Sequence, residues 1–175
     1  DARPAVVFDP ALPAGTYHLV VDGYAGESGP FDLFVTAGEP LAVPENDQCS
    51  DALLLDASAG EVTAEECTWL ASNDLEPGSD CTGSPTAGPD VAYAVDLTAG
   101  DLLTVTLDPE EGFDAAVYLL ESCDAAQCLT GADESFVSEP ESISHVAASD
   151  GRYFVIVDSW NASEAGCFDL TITVE

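Results

Sequence analysis

The stretch Gly151–Val174, GRYFVIVDSWNASEAGCFDLTITV, decides the fold because the chain carries it twice. Near the N-terminus, Gly15–Thr36 reads GTYHLVVDGYAGESGPFDLFVT. Gly15, Tyr17 and Val21-Asp22 match Gly151, Tyr153 and Val157-Asp158, and an aromatic follows one residue later in each (Tyr24, Trp160). After a one-residue insertion, Gly29, Phe31-Asp32-Leu33 and Thr36 match Gly166, Phe168-Asp169-Leu170 and Thr173. Self-similarity at a fixed period marks a repeated unit, and a period of about 136 residues is the size of a domain rather than of a solenoid turn. The chain therefore reads as the C-terminal part of one repeat over residues 1–40, a linker at 41–45, and a complete second copy over 46–175.

Outward from that repeat, the partial copy offers three strand candidates, Ala5–Phe8, Thr16–Val21 and Phe31–Thr36, each short, rich in Val, Tyr and Phe, and bounded by Gly, Pro or Asp. Three strands with one apolar face are too few to be stable alone. They need a sheet from residues outside this chain, from a neighbouring subunit or from the second domain. Pro40 and Pro44 keep the linker extended. In the complete copy, Ala52–Leu55 and Glu61–Glu65 flank a turn at Ser58–Gly60, and an irregular polar stretch runs from Ser72 to Pro89. Further strands are expected at Val91–Val95, Leu102–Leu107, Asp114–Leu120 and Ser142–Ala147, with a tight loop at Cys123–Cys128 and the repeated stretch as a closing hairpin. One helical turn at Asp51–Leu55 is the competing assignment. About eight short strands with no helical period predict an all-β chain, an antiparallel β-sandwich.

Composition narrows the function. The net charge is -32, from 34 acids against Arg3 and Arg152, with no lysine. Nucleic acids and anionic membranes require clustered cations, so both are excluded as partners. Such acidity serves solubility or life in high salt; it also suits convergence on Ca²⁺, which takes about six to eight oxygen ligands. The two are compatible. The chain is 46% hydrophobic, in strand-like blocks, so acidity here does not mean disorder. Six cysteines without a CxxC pair suggest disulfides and an oxidising, extracellular compartment. There is no apolar run of about 18 residues to insert in a membrane. The chain reads as a mature or excised piece of a longer secreted protein.

Four motifs then stand in order: NDQC (Asn46–Cys49), GPDVAYAVDL (Gly88–Leu97), FDAAVYLLESC (Phe113–Cys123) and GRYFVIVDSW (Gly151–Trp160). In this order they resemble the bacterial pre-peptidase C-terminal (PPC-like) domain family, over residues 46–175 in full and 5–36 in its terminal part. The resemblance implies a jelly-roll-like β-sandwich on secreted proteins, often calcium-stabilised, serving as a binding, adhesion or spacer module rather than a catalyst. The extreme acidity, and the lack of any recognisable peptidase beside it, depart from that pattern.

Asn46 and Asp47 open the complete copy, and Asp90 and Asp114 precede apolar strands, so their oxygens are candidate Ca²⁺ ligands. The alternative is that each caps a turn through its side chain. The Asn73–Asp80 loop is a second candidate, reading more simply as a solvated acidic loop. Asp22 and Asp158 end the same strand in the two copies, as turn formers or cation ligands. Tyr17, Tyr153, Phe31 and Phe168 read as core aromatics. Trp160 lies in a turn, where it either packs or recognises a ligand or partner. Cys123–Cys128 is the expected short bridge, Cys67–Cys81 would staple the polar loop, and Cys49–Cys167 would tie the first strand to the last, other pairings remaining open. His18 and His145 do not match between copies, and no Gly-x-Ser-x-Gly elbow, HExxH or phosphate loop is present. The Asn161-Ala162-Ser163 sequon reads as loop sequence. The chain is expected not to be an enzyme.

Two functions follow. One is a structural unit of an acidic, secreted extracellular tandem-repeat protein or filament, calcium-stabilised and joined head to tail through residues 5–36 to copies of itself or to adjacent repeats. The other is a calcium-dependent adhesion or ligand-binding module with a polysaccharide or cell-surface ligand, its exposed aromatics centred on Trp160 or Trp69.

Overall fold

Two kinds of apolar pattern sort the strands into two sheets. VAYAVDL, AAVYLL and FVIV are apolar at nearly every position and suit strands buried on both faces; CFDLTITV and LLTVTLDP alternate and suit strands with one wet face. The structure, a computed structural model, describes residues 15–22, 28–33, 42–124, 126 and 128–175. The chain parts into two units between Ala42 and Val43.

The second unit holds β1 (Leu53–Leu54), β2 (Glu61–Cys67), β3 (Val91–Leu97), β4 (Leu102–Pro109), β5 (Ala115–Leu120), β6 (Cys128–Ala132), β7 (Glu141–Val146), β8 (Gly151–Ser159) and β9 (Cys167–Val174). They form a five-stranded sheet, β1-β3-β8-β5-β6, and a four-stranded sheet, β2-β9-β4-β7. Pairing is antiparallel except between the short β1 and β3, where Leu53 lies opposite Tyr93. This is the expected β-sandwich. Between the sheets Tyr93, Val105, Leu107, Phe113, Val117, Val155, Val157, Phe168, Leu170 and Ile172 are buried, and Phe168 meets Tyr93 edge-on at 6.4 Å.

The outer face of the five-stranded sheet carries its own small core. Ala92, Tyr118, Leu120 and Ile156 are covered by Cys49 and by Leu75, with Cys81 and Cys128 packed against them. The polar stretch after Ser72, containing a single helical turn α1 (Ser79–Thr82), is therefore a lid over this face rather than a free loop. At Gly131 the lid comes so close that an added Cβ would lie 2.9 Å from Thr82 and 3.0 Å from Cys81.

The repeated stretch departs from expectation. It is not a hairpin: β8 pairs with β3 and β5, β9 pairs with β2 and β4, and the connection 160–166 crosses from one sheet to the other. The reason lies in the neighbours. Both edges of β8 are taken by β3 and β5 and both edges of β9 by β2 and β4, so neither strand is left to pair with the other. Gly166 marks the crossing, since a Cβ there would sit 2.4 Å from the Phe113 ring.

The cysteine pairings differ as well. Cys123–Cys128, Cys67–Cys81 and Cys49–Cys167 are replaced by Cys49–Cys123, Cys67–Cys167 and Cys81–Cys128. Short spacing misleads here because sheet geometry decides. Cys67 and Cys167 are direct cross-strand partners on β2 and β9, and Cys128, opposite Leu120 on β6, faces the lid. Two of the three bridges thus staple the lid and the domain opening over the five-stranded sheet. Closing loops of 47, 74 and 100 residues, each stabilises by about 4–5 kcal/mol in the chain-entropy treatment.

Other details shift. The ambiguous Leu129–Gly131 belongs to β6, and of the two readings around Ala52–Leu55 the strand holds, as β1, with a 3₁₀ turn at Cys49–Asp51 before it. In the first unit, Thr16–Val21 and residues 31–33 form no strand. Residues 34–36 and the strand expected at Ala5–Phe8 lie outside the described residues. Leu19, Val20, Val21, Phe31 and Leu33 are exposed, since strands need flanking strands to bury their faces.

Gly166→Ala is expected to destabilise the unit by about 1–3 kcal/mol through overpacking against Phe113, measured by denaturant unfolding. No change would mean that the crossing is looser than drawn.

Candidate functional site

Acids gather where β3 begins and β8 ends. Asn46 is buried and clamps β3: its Nδ2 donates to Ala92 O at 3.1 Å, and Ala92 N donates to Asn46 O at 2.9 Å. Asp47 accepts from Ser72 N at 2.6 Å, and Ser72 Oγ lies between the Asp47 and Asp74 carboxylates. Gln48 bonds to Asp74 through its side-chain amide. Asp90 is fully buried beneath this lacing, and its Oδ2 accepts from Asp74 N (2.8 Å) and Leu75 N (3.1 Å). Its Oδ1 is buried without a donor among the described residues.

Beside Asp90, across the β3–β8 pair, lies Asp158, also fully buried. Asp158 Oδ1 accepts from Ser159 N at 2.6 Å, and Oδ2 lies 3.0 Å from the Tyr118 hydroxyl, which is itself 3.3 Å from Leu75 O. Tyr118 O–H thus faces two acceptors and is shared between them; a protonated Asp158 would donate to Tyr118 and leave its hydrogen to Leu75 O. Burial above all, then the charge of Asp90, pushes the Asp158 carboxyl up to about 8. Burial likewise pushes Asp90 up to about 7 against the pull of the Asp74 and Leu75 amides. Burial, with the Asp158 charge behind it, also pushes the Tyr118 hydroxyl up. Two carboxylates this close and this dry titrate as a pair and hold protons near neutrality.

A second cluster is built from loops. Asp114 precedes β5, Asp133 follows β6, Glu141 opens β7 and Glu164 lies in the 160–166 crossing. Asp133 is only 9% exposed, and its Oδ2 and Glu164 Oε2 are buried without a donor among the described residues. Glu141 Oε1 accepts from Glu134 N (3.0 Å) and Ser135 N (2.6 Å). Burial first, then the charges of Asp114, Glu141 and Glu164, raises Asp133 to about 6. Burial also raises Asp114 and Glu164.

Of the residues singled out from sequence, Asn46, Asp47 and Asp90 come together, whereas Asp114 stands with Asp133 and Glu164. Among the described residues no group of three or more His, Cys, Asp or Glu is arranged to hold a metal ion. Sequence reasoning missed the partners Tyr118, Asp133, Glu141 and Glu164. Asp158, read from the sequence as a turn former or cation ligand, is a fully buried carboxyl bonded to Ser159 N and facing Tyr118. Trp160 is 47% exposed, its backbone N–H donating to Asp114 O at 3.3 Å. Asn161 Oδ1 accepts from Ser163 N at 2.9 Å, so the sequon forms a local turn. The second cation, Arg152, is spent on the exposed Asp96 at 2.8 Å.

No family model and no curated protein matches the chain. Solved structures do. A periplasmic inhibitor of g-type lysozyme from Aeromonas hydrophila (PliG) is 12% identical at a TM-score of 0.49, the match covering 71% of this chain and 96% of that one. The pre-peptidase C-terminal domain of the Bacillus anthracis collagenase is 11% identical at a TM-score of 0.43, over 71% and 94%. The C-terminal carbohydrate-binding module of LamC from Zobellia galactanivorans is 16% identical at a TM-score of 0.34, over 64% and 99%. These are likenesses of β-sandwich architecture and say nothing about a ligand.

Because Asp90 and Asp158 hold protons more tightly when folded, their burial cost is absent below the ordinary value of 3.8, accumulates as pH rises from there, and levels off above about 7 and about 8. Stability in chelator should therefore fall from about pH 5 to about pH 8.5. Asp158→Asn keeps the donor to Tyr118 without the charge. It should flatten that fall, raising Tm at the alkaline end by about 2–4 °C, roughly 1 kcal/mol. Parallel profiles for the two proteins would contradict the pair.

Proposed function

We propose that the chain is a non-catalytic structural unit of an acidic, secreted tandem-repeat protein of PPC-like sandwiches, neighbouring copies meeting through residues 5–36. The observation that carries this is the duplication: residues 15–36 repeat the stretch that, in the second unit, forms the central strand of one sheet and an inner strand of the other. Such a stretch has no use outside a sandwich. Three disulfides fit an oxidising compartment, extracellular or periplasmic. No helix among the described residues is long and apolar enough to cross a membrane. At net charge -32 the surface repels polyanions and its own copies, which suits an extended array in salt.

Calcium belongs to the proposal at the second cluster rather than at the domain opening. Asn46, Asp47 and Asp90 Oδ2 are engaged with backbone and Asp90 Oδ1 alone lacks a donor there, whereas at the second cluster Asp133 Oδ2 and Glu164 Oε2 both lack one among the described residues. An ion there would draw Asp114, Asp133 and Glu164 inward. A binding role is the second reading, favoured by the half-exposed Trp160 beside this cluster.

Electron microscopy of the native material should show strings of lobes spaced on the order of 40 Å, one sandwich each. Single compact particles would contradict the array. Millimolar calcium should raise Tm by about 2–4 °C and Asp133→Asn should abolish the gain. An unchanged Tm would mean that these carboxyls are held by protons alone.

A further inference from the structure

We infer that the outer edge of β2 is a docking site for an extended segment of another protein, one that alternates apolar and cationic residues and adds beside β2 as a fifth strand of the smaller sheet. The ladder shows which backbone groups are on offer. Val174 N donates to Gly60 O and Thr68 N to Gly166 O, each at 2.9 Å, and the β2–β9 register is unbroken between them. Hydrogen-bonded pairs alternate in an antiparallel ladder. Val62, Ala64 and Glu66 therefore turn their backbone groups to β9, while Glu61, Thr63, Glu65 and Cys67 turn theirs away. Glu66 Oε1 accepts from Cys67 N at 3.1 Å. The outward groups of Glu61, Thr63 and Glu65 meet no other strand among the described residues. Such a row is a template for one more strand.

The space beside this edge is unfinished. Leu53 of β1 pairs with Tyr93, whose side chain lies between the sheets, so Leu53 shares that inner face. Yet Leu53 is 50% exposed, so the gap between the layers is open here. A cavity of about 320 Å³ occupies the corner, lined by Ala52, Leu53 and Leu54, by Glu66 of β2 and by Asn46. Tyr93 is 1% exposed, and its hydroxyl, close to Asn46 and Glu66, has no hydrogen-bond partner among the described residues. A buried polar atom left unmet is costly, and a segment entering this corner can supply the bond.

Charge selects the occupant. Glu61, Thr63 and Glu65 are exposed on the outer face of β2, whereas Val62 and Ala64 pack inward on the core. Glu45 and Asp51 add acid at the rim of the cavity. Opposite charges facing each other across a strand pair stabilise it, and like charges destabilise it. A segment with Lys or Arg against Glu61 and Glu65, and β-branched residues turned toward Leu53, suits both faces at once. A second copy does not, since two β2 edges would set Glu against Glu in chains of net charge -32.

The probe is the capped peptide KVKVKVK, titrated into the full chain in about 0.15 M salt and followed by amide NMR. The Glu61, Thr63 and Glu65 amides are expected to shift and to exchange at least about tenfold more slowly. KKKKVVV, of the same composition, should bind at least about tenfold more weakly, because bulk attraction is all it has. In an antiparallel pairing the Lys amides of the probe face Glu61, Thr63 and Glu65, so N-methylating them should abolish binding, and N-methylating the Val amides should not. Thr63→Pro removes an outward N–H and no bond to β9, and should weaken KVKVKVK at least about tenfold. Equal binding by KKKKVVV, or binding that survives N-methylation of the Lys amides, overturns the inference. So do Glu61, Thr63 and Glu65 amides already protected in the free chain, or a dimer of the chain closing on this edge.

Discussion

Everything in the second unit depends on one crossing of the chain from sheet to sheet. β8 and β9 are neighbours in sequence but belong to opposite sheets, each between two other strands. One covalent connection therefore ties both layers, and the core that fills the gap is built around its side chains, from Tyr153 and Val157 to Phe168, Leu170 and Ile172. At the crossing, backbone must touch ring, which is why Gly166 faces Phe113. Fully burying each of the large apolar side chains is worth about 1.5–3 kcal/mol. Losing the β8–β9 crossing would forfeit several at once and break both ladders.

The second constraint is the dry outer face of the five-stranded sheet. A strand apolar on both sides needs a cover, and a chain with only two cations cannot neutralise buried acids with salt bridges. The solution is a polar lid held by backbone bonds to Asp47 and Asp90 and by the Cys81–Cys128 bridge. Two carboxyls lie beneath it, and protons stand in for the missing counter-charges. Asp158 Oδ2, Tyr118 O–H and Leu75 O form one buried hydrogen-bonded group. Low dielectric makes such a group rigid when complete and costly when broken.

Most of the architecture was legible in the sequence, because strand residues, turn residues and the duplication are local signals. VAYAVDL and FVIV announce strands wherever they fold. What escaped was relational. Whether Gly151–Val174 turns back on itself or crosses over is decided by the edges of β8, not by its own residues. The cysteines pair by cross-strand register and by lid placement, so the short Cys123–Cys128 spacing pointed the wrong way. Asp133 and Glu164 carry no local signal at all among 34 acids. Thr16–Val21 has a strand's composition without a strand's neighbours, and composition does not make a ladder.

Native-state hydrogen exchange of the unmodified chain tests the crossing most directly. If the crossing couples the sheets, the core amides of β8 and β9 share one opening free energy, the highest in the second unit. Distinct opening energies for β8 and β9, each following its own sheet, would contradict the account.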